Sequence, residues 1–294
     1  MKKPLLITAL FFSNLICYSQ KDKVYTSLEE ALKNPSDVFI LALNNKKLTE
    51  VPESVLRFTN LTTLDLAGNK LSSVPENISG LKNLSELNLS NNKFNTLPES
   101  ITQLTTLTEL DFSNNNCSFI PGTITKLSSL KILYFNNNKL ASFPDFMAKL
   151  SKLSEIYLYG NIINNIPESI SSLGNLTEIG LGGNLLASLP ESMGNLTRLK
   201  YLALSYNNFT DLPACVTKLS NLTVLDLNGN KITSLPEGIG SLSRLAELYL
   251  ESNKLNSLPE SILQLAELST INIKENPAIK LSPAVKKFIE DKKI

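Results

Sequence analysis

Histidine is absent from the 294-residue sequence, and cysteine occurs only three times. Histidine is the commonest general base and metal ligand among the side chains, so its absence removes the usual catalytic triads and most metal centres. The sequence also lacks a glycine-rich phosphate loop and a calcium-binding loop. We therefore predict a protein that is not an enzyme, with no catalytic residue, no metal and no cofactor.

The sequence is instead rich in repetition. Asparagine recurs at a fixed interval of 23 residues, at positions 69, 92, 115, 138, 161, 184, 207, 230, 253 and 276. A period in the twenties is typical of stacked arrays, in which each unit buries its apolar face against its neighbours. We predict that these asparagines are buried and that their side-chain amides bond turn backbone which no strand pairing satisfies.

Each asparagine lies within the same apolar scaffold. Around Asn69 the scaffold consists of Leu61, Leu64, Leu66, Leu71, Val74, Pro75, Ile78 and Leu81. This pattern resembles the leucine-rich repeat family, specifically the 23-residue class with a Leu-Pro-x-x-Ile second half found in Ras-associated scaffolds and plant intracellular Ras-group proteins. The resemblance extends from about residue 38 to residue 288. It implies a protein-binding array, since leucine-rich repeats usually bind proteins.

The pattern within one unit predicts its local structure. Leu64 and Leu66 point inward and the residues beside them face solvent, so each unit supplies one short strand. Ile78 and Leu81, three residues apart after the proline, indicate a short helical or irregular return limb. The predicted fold class is an α/β solenoid, a right-handed leucine-rich repeat horseshoe with a parallel concave β-sheet and short helical or irregular convex segments.

The start of the chain has the pattern of an exported protein. Residues 1–20 are predicted to be a secretory signal peptide, because Lys2 and Lys3 precede an apolar run too short to span a bilayer. Its end resembles those of bacterial exported proteins. Cys17 raises the alternative of lipid attachment, but Ile16 is larger than the small residue expected before a lipidated cysteine.

The rest of the chain is predicted to form one domain with two caps. Residues 21–37 form an N-terminal helical cap, in which Ser27 and Glu30 make a capping box. Residues 38–281 hold about eleven units of 23 residues, and residues 282–294 form a C-terminal helical cap. Eleven strands at the parallel-sheet spacing of about 4.8 Å make a sheet roughly 50 Å long.

Two cysteines lie in the array. Cys117 takes an inward position that is leucine or phenylalanine in other units, and Cys215 lies on a return limb. They are about four units apart, hence roughly 20 Å at the sheet spacing, which is beyond disulfide reach. We predict no disulfide between them.

Function is expected at the solvent-facing strand positions, which lie two, four and six residues before each asparagine. Five of the eight tyrosines fall in these three rows. The predicted ligand-binding residues are Tyr134, Tyr157, Tyr159, Gly180, Gly182, Tyr201, Tyr206, Glu155 and Glu178. The tyrosines flank a strip of glycines, where a ligand could approach the backbone closely. The alternative is that tyrosine simply suits strands.

The same rows are acidic. They contain a single lysine, Lys274, and nine carboxylates: Asp65, Glu86, Glu109, Asp111, Glu155, Glu178, Asp226, Glu247 and Glu251. The chain is formally +1, and six lysines lie just after the asparagine position of their units, along one rim. This segregation predicts a partner of basic character and disfavours nucleic acid. A solvated face without a partner is the alternative, and an open sheet gives these carboxylates no enclosed pocket for catalysis.

We therefore predict a non-catalytic, exported binding module that recognises a protein or peptide through its concave sheet. It would be secreted, periplasmic or displayed at the cell surface, without a membrane span. A glycan stacked on the same tyrosines is an alternative ligand. Two further alternatives are a structural surface spacer and, if the first twenty residues are not cleaved, a cytoplasmic signalling scaffold of the Ras-associated type.

Overall fold

A computed structural model describes residues 20–291 of the chain. The predicted signal peptide lies almost wholly outside this range, and so do the final three residues. All strand, helix and contact descriptions below concern the described residues.

Between residues 20 and 291, twelve short parallel strands form a sheet in chain order. They are β1 (Val24–Tyr25), β2 (Ile40–Ala42), β3 (Thr63–Asp65), β4 (Glu86–Asn88), β5 (Glu109–Asp111), β6 (Ile132–Tyr134), β7 (Glu155–Tyr157), β8 (Glu178–Gly180), β9 (Tyr201–Ala203), β10 (Val224–Asp226), β11 (Glu247–Tyr249) and β12 (Thr270–Asn272). From β2 onward the pairing register is 23 residues, so that Leu64 lies opposite Leu87. Equivalent residues of successive units therefore form straight rows across the sheet.

The return limbs are short 3-10 helices. In the array they are Glu53–Arg57, Glu76–Gly80, Ile101–Gln103, Gly122–Lys126, Asp145–Lys149, Glu168–Ser172, Glu191–Asn195, Ala214–Lys218, Glu237–Ser241 and Glu260–Gln264. A proline immediately precedes nine of these helices, and the one that begins at Ile101 follows Ser100 instead. Helices of this type suit a unit that has room for about one turn. The predicted solenoid, with strands on one side and short helical segments on the other, is confirmed.

One continuous apolar core runs between the sheet and the return limbs. The inward strand residues, such as Leu64 and Leu110, are fully buried. Phe94, Phe112 and Phe135 form a line of ring contacts through the core, with centroid separations of 5.0 and 5.5 Å. A buried leucine or phenylalanine stabilises the fold by roughly 1.5–3 kcal/mol. This stabilisation recurs in every unit, and it holds the strands in register.

The two ends of the sheet are built differently. At the N-terminal end, 3-10 helices Gln20–Asp22 and Pro35–Asp37 flank the four-residue helix α1 (Leu28–Ala31). The Ser27 side chain accepts a 3.5 Å hydrogen bond from the Glu30 backbone. This segment also supplies β1, which sequence analysis missed, so the sheet has one strand more than the predicted eleven. The other end is covered by helix α2 (Pro283–Asp291), with Val285 buried.

Candidate binding surface

The asparagines fix the edge where each strand ends. Asn161 is 5% exposed, and its Oδ1 accepts a 3.0 Å hydrogen bond from the Leu140 backbone of the preceding unit. Its Nδ2 donates to the carbonyl oxygens of Phe135 and Leu158, both at 3.0 Å. The same arrangement recurs from Asn69 to Asn276 and forms an asparagine ladder. The predicted structural role of these residues is confirmed.

Several carboxylates of the sheet face also have a structural role. Asp65 and Asp111 are only 3% and 8% exposed, and each accepts a hydrogen bond from the backbone N–H two residues later, at 2.9 and 2.8 Å. Burial raises the pKa of both carboxyl groups. The Asp226 carboxylate likewise accepts a hydrogen bond from the backbone N–H of Asn228, two residues later. The row four residues before the asparagine is therefore partly buried, and the prediction that it faces solvent is wrong at Asp65 and Asp111.

The row six residues before the asparagine carries the more accessible carboxylates. Glu86 and Glu109 lie opposite each other on β4 and β5, and Glu155 and Glu178 do so on β7 and β8. Burial, together with the charges of Glu86, Asp111 and Glu155, raises the pKa of Glu109 to about 7. Like charges that face each other across a sheet are destabilising. The stability of the fold therefore does not explain why this row contains so many glutamates.

Tyrosines and carboxylates meet at the centre of the sheet face. The rings of Tyr134 and Tyr157, on adjacent strands, are stacked with centroids 4.9 Å apart and planes 7° apart. The ring of Tyr159 lies 6.2 Å from that of Tyr157, so Tyr157 sits between two rings. The Tyr157 hydroxyl reaches both Glu155, at 2.9 Å, and Glu178. Burial and the two carboxylates raise the pKa of Tyr157, so it remains a proton donor between them.

Tyr159 crosses the glycine strip of β8 diagonally. A methyl group added at Gly180 would lie 2.2 Å from Cε2 of Tyr159, and one added at Gly182 would lie 3.0 Å from its Cδ1. The Tyr159 hydroxyl then pairs with the Tyr201 hydroxyl at 3.0 Å, two strands further along. The glycines thus make room for a tyrosine of the chain itself. The prediction that they leave open backbone for a ligand is wrong at Gly180.

Eight of the nine predicted residues therefore form one patch, which we call the tyrosine platform. Its members are Tyr134, Glu155, Tyr157, Tyr159, Glu178, Gly180, Gly182 and Tyr201. The ninth, Tyr206, is 68% exposed and its ring lies over Gly229 of the next unit. The packing of the Tyr159 ring over the glycines was not predicted from the sequence. A large aromatic next to small residues on the same face of a neighbouring strand is the signal that could have indicated it.

The described residues offer little for covalent or metal chemistry. Cys117 and Cys215 are buried free thiols, and burial raises their pKa values to about 12 and about 11. Neither is therefore a thiolate at neutral pH. From residue 20 to 291 there is no group of three side chains suited to a metal ion. No helix in this range has the length and apolar character needed to cross a bilayer.

Models of the leucine-rich repeat family match most of the chain. A model described as a leucine-rich repeat region matches residues 84–181 and 186–288, and a second, described as leucine rich repeat, matches residues 38–94. The chain belongs to the leucine-rich repeat proteins. No curated protein sequence matches it.

Solved structures of similar shape include bacterial and plant proteins. A leucine-rich repeat protein of Leptospira interrogans is 28% identical over 92% of this chain and 97% of its own, with a TM-score of 0.53. The plant peptide hormone receptor RGFR1, in complex with RGF2, is 26% identical over 79% of this chain and 42% of its own, with a TM-score of 0.65.

A third similar structure is the leucine-rich repeat ectodomain of the receptor kinase GASSHO1/SCHENGEN3 from Arabidopsis thaliana, in complex with CASPARIAN STRIP INTEGRITY FACTOR 2. It is 30% identical over 79% of this chain and 32% of its own, with a TM-score of 0.64. This chain therefore spans less than half the length of these plant receptor chains. The similar structures include receptors that bind peptides or proteins.

Proposed function

We propose that this chain is a non-catalytic binding module that holds a basic segment of a protein or peptide on the tyrosine platform. The observation that carries the proposal is the convergence of stacked tyrosines with Glu155 and Glu178 at the centre of the sheet. Tyrosine is enriched where proteins bind one another, because it combines apolar area with a polar end.

Charge supports a basic ligand. Glu109 and Glu155 lie on either side of Ile132 in the same row, next to the ring of Tyr134. Tyr157 covers one face of the Tyr134 ring. A guanidinium or ammonium group on the other face would gain a cation–π contact and carboxylate partners together. We infer that an arginine or lysine of the ligand occupies this position.

Ring geometry favours a protein segment over a glycan. Sugar stacking needs a broad exposed aromatic face. Tyr157 is only 7% exposed and lies between two other rings, while the hydroxyls of Tyr159 and Tyr201 bind each other. What the platform offers to a ligand is therefore ring edges and carboxylates. A glycan on the same tyrosines remains the second candidate ligand.

Compartment is part of the proposal. We propose an exported protein, on the basis of the pattern in residues 1–20, which lie almost wholly outside the described range. The peptide-bound plant receptor among the similar structures supports a peptide-binding role. The 23-residue resemblance to Ras-associated scaffolds keeps the cytoplasmic alternative open. N-terminal sequencing of the chain purified from cells would show whether residue 1 or a residue near 20 comes first.

A defined set of immobilised 12-residue peptides and a glycan array would test the platform. We expect the full chain to bind peptides enriched in lysine and arginine, with affinity that falls as salt is raised. The variant Glu155→Gln/Glu178→Gln should lose at least tenfold in affinity, because its shape is kept and its charge is removed. The matched control Glu76→Gln/Glu99→Gln changes net charge equally at exposed positions outside the sheet face.

The outcomes separate the candidates. Binding of basic peptides that the platform variant loses and the control keeps would support the proposal. Equal loss in both variants would indicate an unspecific effect of net charge, and no enrichment in basic residues would overturn the proposal. Binding confined to glycans would replace it with the second candidate.

A further inference from the structure

Two adjacent units place exposed aliphatic side chains where other units place lysine. The position directly after the ladder asparagine is lysine in five units, but it is Ile162 and Leu185 in the units that contain Tyr159 and Gly182. These two side chains are 48% and 50% exposed. Strands of successive units are about 4.8 Å apart, so these two side chains lie next to each other and form an apolar pair at the sheet's rim.

Folding does not require an aliphatic residue at this position. The backbone N–H groups of Ile162 and Leu185 bond the preceding unit at 3.0 and 2.8 Å, just as those of Lys139 and Asn208 do at 2.7 Å. The backbone is therefore the same whether the side chain is lysine, asparagine or aliphatic. Neighbouring exposed aliphatics that contribute little to the core are typical of a surface that another molecule covers.

Tyr206 lies at the same rim in an unfavourable conformation. It directly precedes its ladder asparagine and has a φ of 54°, in the left-handed region. At the equivalent positions the array has glycine or asparagine in eight units, such as Asn137 and Gly160. A bulky residue in this region is strained, and such strain tends to be retained at functional positions. Its 68% exposed ring contributes little to the core.

Glycines connect this rim to the tyrosine platform. Gly160 and Gly183 occupy the turns between Tyr159 on one side and the aliphatic pair on the other, and both have positive φ. A methyl group added at Gly183 would lie 3.3 Å from the Gly160 backbone, so the two turns are in close contact. A methyl group added at Gly160 would instead lie 2.3 Å from Oδ1 of Asn137, so the Asn137 side chain lies over that turn. Gly183 has only the Gly160 backbone within 4 Å of such a methyl group, so it leaves a short passage without side chains. A ligand's main chain could cross this passage from platform to rim.

We propose that Ile162, Leu185 and Tyr206, which we call the apolar edge, bind aliphatic side chains of the same basic protein segment that the tyrosine platform holds. This inference rests on the proposed function. It adds that the ligand leaves the sheet over the rim at Gly183, and that its sequence combines basic and aliphatic residues.

Charge and length decide which ligand fits. The platform end of the passage carries Glu155 and Glu178, and the rim end carries apolar side chains, so a segment that is basic at one end and aliphatic at the other complements both. Tyr159 and Ile162 are three residues apart, a span of at most about 10 Å. An extended ligand covers that distance with about three residues. Its basic and aliphatic residues should therefore be two to four positions apart.

The peptide set defined above tests the apolar edge with two variants. Ile162→Asn/Leu185→Asn introduces asparagine, which other units carry at the same position as Asn116 and Asn208, and it does not change the net charge. Tyr206→Asn introduces a residue that tolerates left-handed backbone, as Asn137 does. Phe119→Asn is the matched control, because it removes a 55% exposed aromatic side chain from another surface. Asparagine is compatible with this position, since the equivalent residue two repeats later is Asn165.

We expect each edge variant to weaken the best basic peptides about tenfold or more, with Phe119→Asn unchanged. Tyr206→Asn should also raise the unfolding temperature by about 2–4 °C as strain is relieved. A merely structural role for Tyr206 predicts the opposite shift. Among bound peptides, aliphatic residues should be enriched two to four positions from the basic ones.

The results distinguish this inference from the function on which it depends. If Glu155→Gln/Glu178→Gln abolishes binding while the edge variants bind as tightly as wild type, the apolar edge is overturned and the platform stands. If no basic peptide binds at all, both fail. A wild-type dimer in sedimentation that Ile162→Asn/Leu185→Asn makes monomeric would overturn the inference by identifying a second copy of the chain as the occupant.

Discussion

The asparagine ladder and the tyrosine platform are built from the same units but follow opposite rules. The ladder repeats one residue in ten successive units, and each copy binds backbone of its own and the preceding unit. The platform is confined to the central units, and its side chains bind one another: Tyr157 binds Glu155 and Glu178, and Tyr159 binds Tyr201.

This contrast shows how a repeat array separates the positions that folding fixes from those that are free to vary. Backbone groups left open at a turn recur in every unit, so the residue that satisfies them recurs too. Side chains on the sheet face have no such fixed partner, and they vary from unit to unit. Equivalent residues of the other units therefore serve as controls for a substitution in one unit. Substitution in the ladder should damage the fold, whereas substitution in the platform should change only local packing and binding.

Asn161→Leu should have the largest effect on stability. The substitution leaves the buried Leu140 N–H without a partner. It also removes one of the two hydrogen bonds that each of the Phe135 and Leu158 carbonyl groups accepts, the second coming from Asn138 and Asn184. An unsatisfied buried group costs about 1–3 kcal/mol and each lost hydrogen bond about 0.5–1.5 kcal/mol, so we expect a loss of roughly 2–6 kcal/mol. Urea unfolding followed by circular dichroism measures it.

Asn116→Ala is the control, because the side chain of this exposed asparagine binds only the Asn95 side chain among the described residues, and its backbone bond to Phe94 is kept. Its unfolding midpoint should stay within about 0.5 kcal/mol of wild type. A similar loss in both variants would mean that the ladder is no more structural than the surface asparagines, and the comparison would collapse.

Gly180→Ala should break the platform while leaving the array folded. The added methyl group would lie 2.2 Å from the Tyr159 ring, so the ring must move and its hydroxyl bond to Tyr201 should be lost. Forcing extra volume into a packed site costs about 1–3 kcal/mol. Urea unfolding gives the loss in stability, and the absorbance of the tyrosines reports the changed ring environment.

A double-mutant cycle sharpens this prediction. Tyr159→Ala removes the ring, so adding Gly180→Ala in that background should cost at least 1 kcal/mol less than in wild type. Gly174→Ala is the matched control, because a methyl group there meets nothing within 4 Å. If Gly180→Ala and Tyr159→Ala act additively, the ring does not depend on the glycine.

The repeat made most of the fold predictable from sequence. Leu64 and Leu66 alternate with polar neighbours, and their spacing to Asn69 recurs with a constant period, so strand, turn and stacking followed directly. The strand Val24–Tyr25 could not be found in this way, because it lies before the first repeat and pairs with β2 outside the 23-residue register. Its two residues carry no periodic signal of their own.

The residues of the tyrosine platform could be predicted from the sequence, but the contacts between their side chains could not. Counting back from each asparagine identified Tyr157 and Tyr159 as neighbours on the sheet face, because row positions follow from the period alone. Which way the Tyr159 ring leans depends on side-chain rotamers and on the space above Gly180. The burial of Asp65 and Asp111 was missed for a related reason. Their carboxylates turn back to their own backbone, and an outward-facing position in a strand does not reveal that.

Glu109→Gln tests whether the acidic row opposes folding, with the smallest expected effect. The folded chain raises the pKa of Glu109 from 4.5 to about 7, through burial and the charges of Glu86, Asp111 and Glu155. The folded state therefore binds this proton more tightly than the unfolded state, and the resulting stabilisation is full below about pH 4.5 and lost as the pH rises to about 7.

Because Glu109 is partly exposed, solvent screening reduces the effect to about 1 kcal/mol. Glutamine carries no charge, so Glu109→Gln should be more stable than wild type by about that amount at pH 8 and no more stable at pH 4. Urea unfolding at both pH values measures the difference, with the exposed Glu99→Gln as control. A stabilisation that is equal at both pH values would mean that shape, not charge, is responsible. A stabilisation confined to pH 8 would show that the acidic row weakens the fold at the pH where a basic ligand would neutralise it.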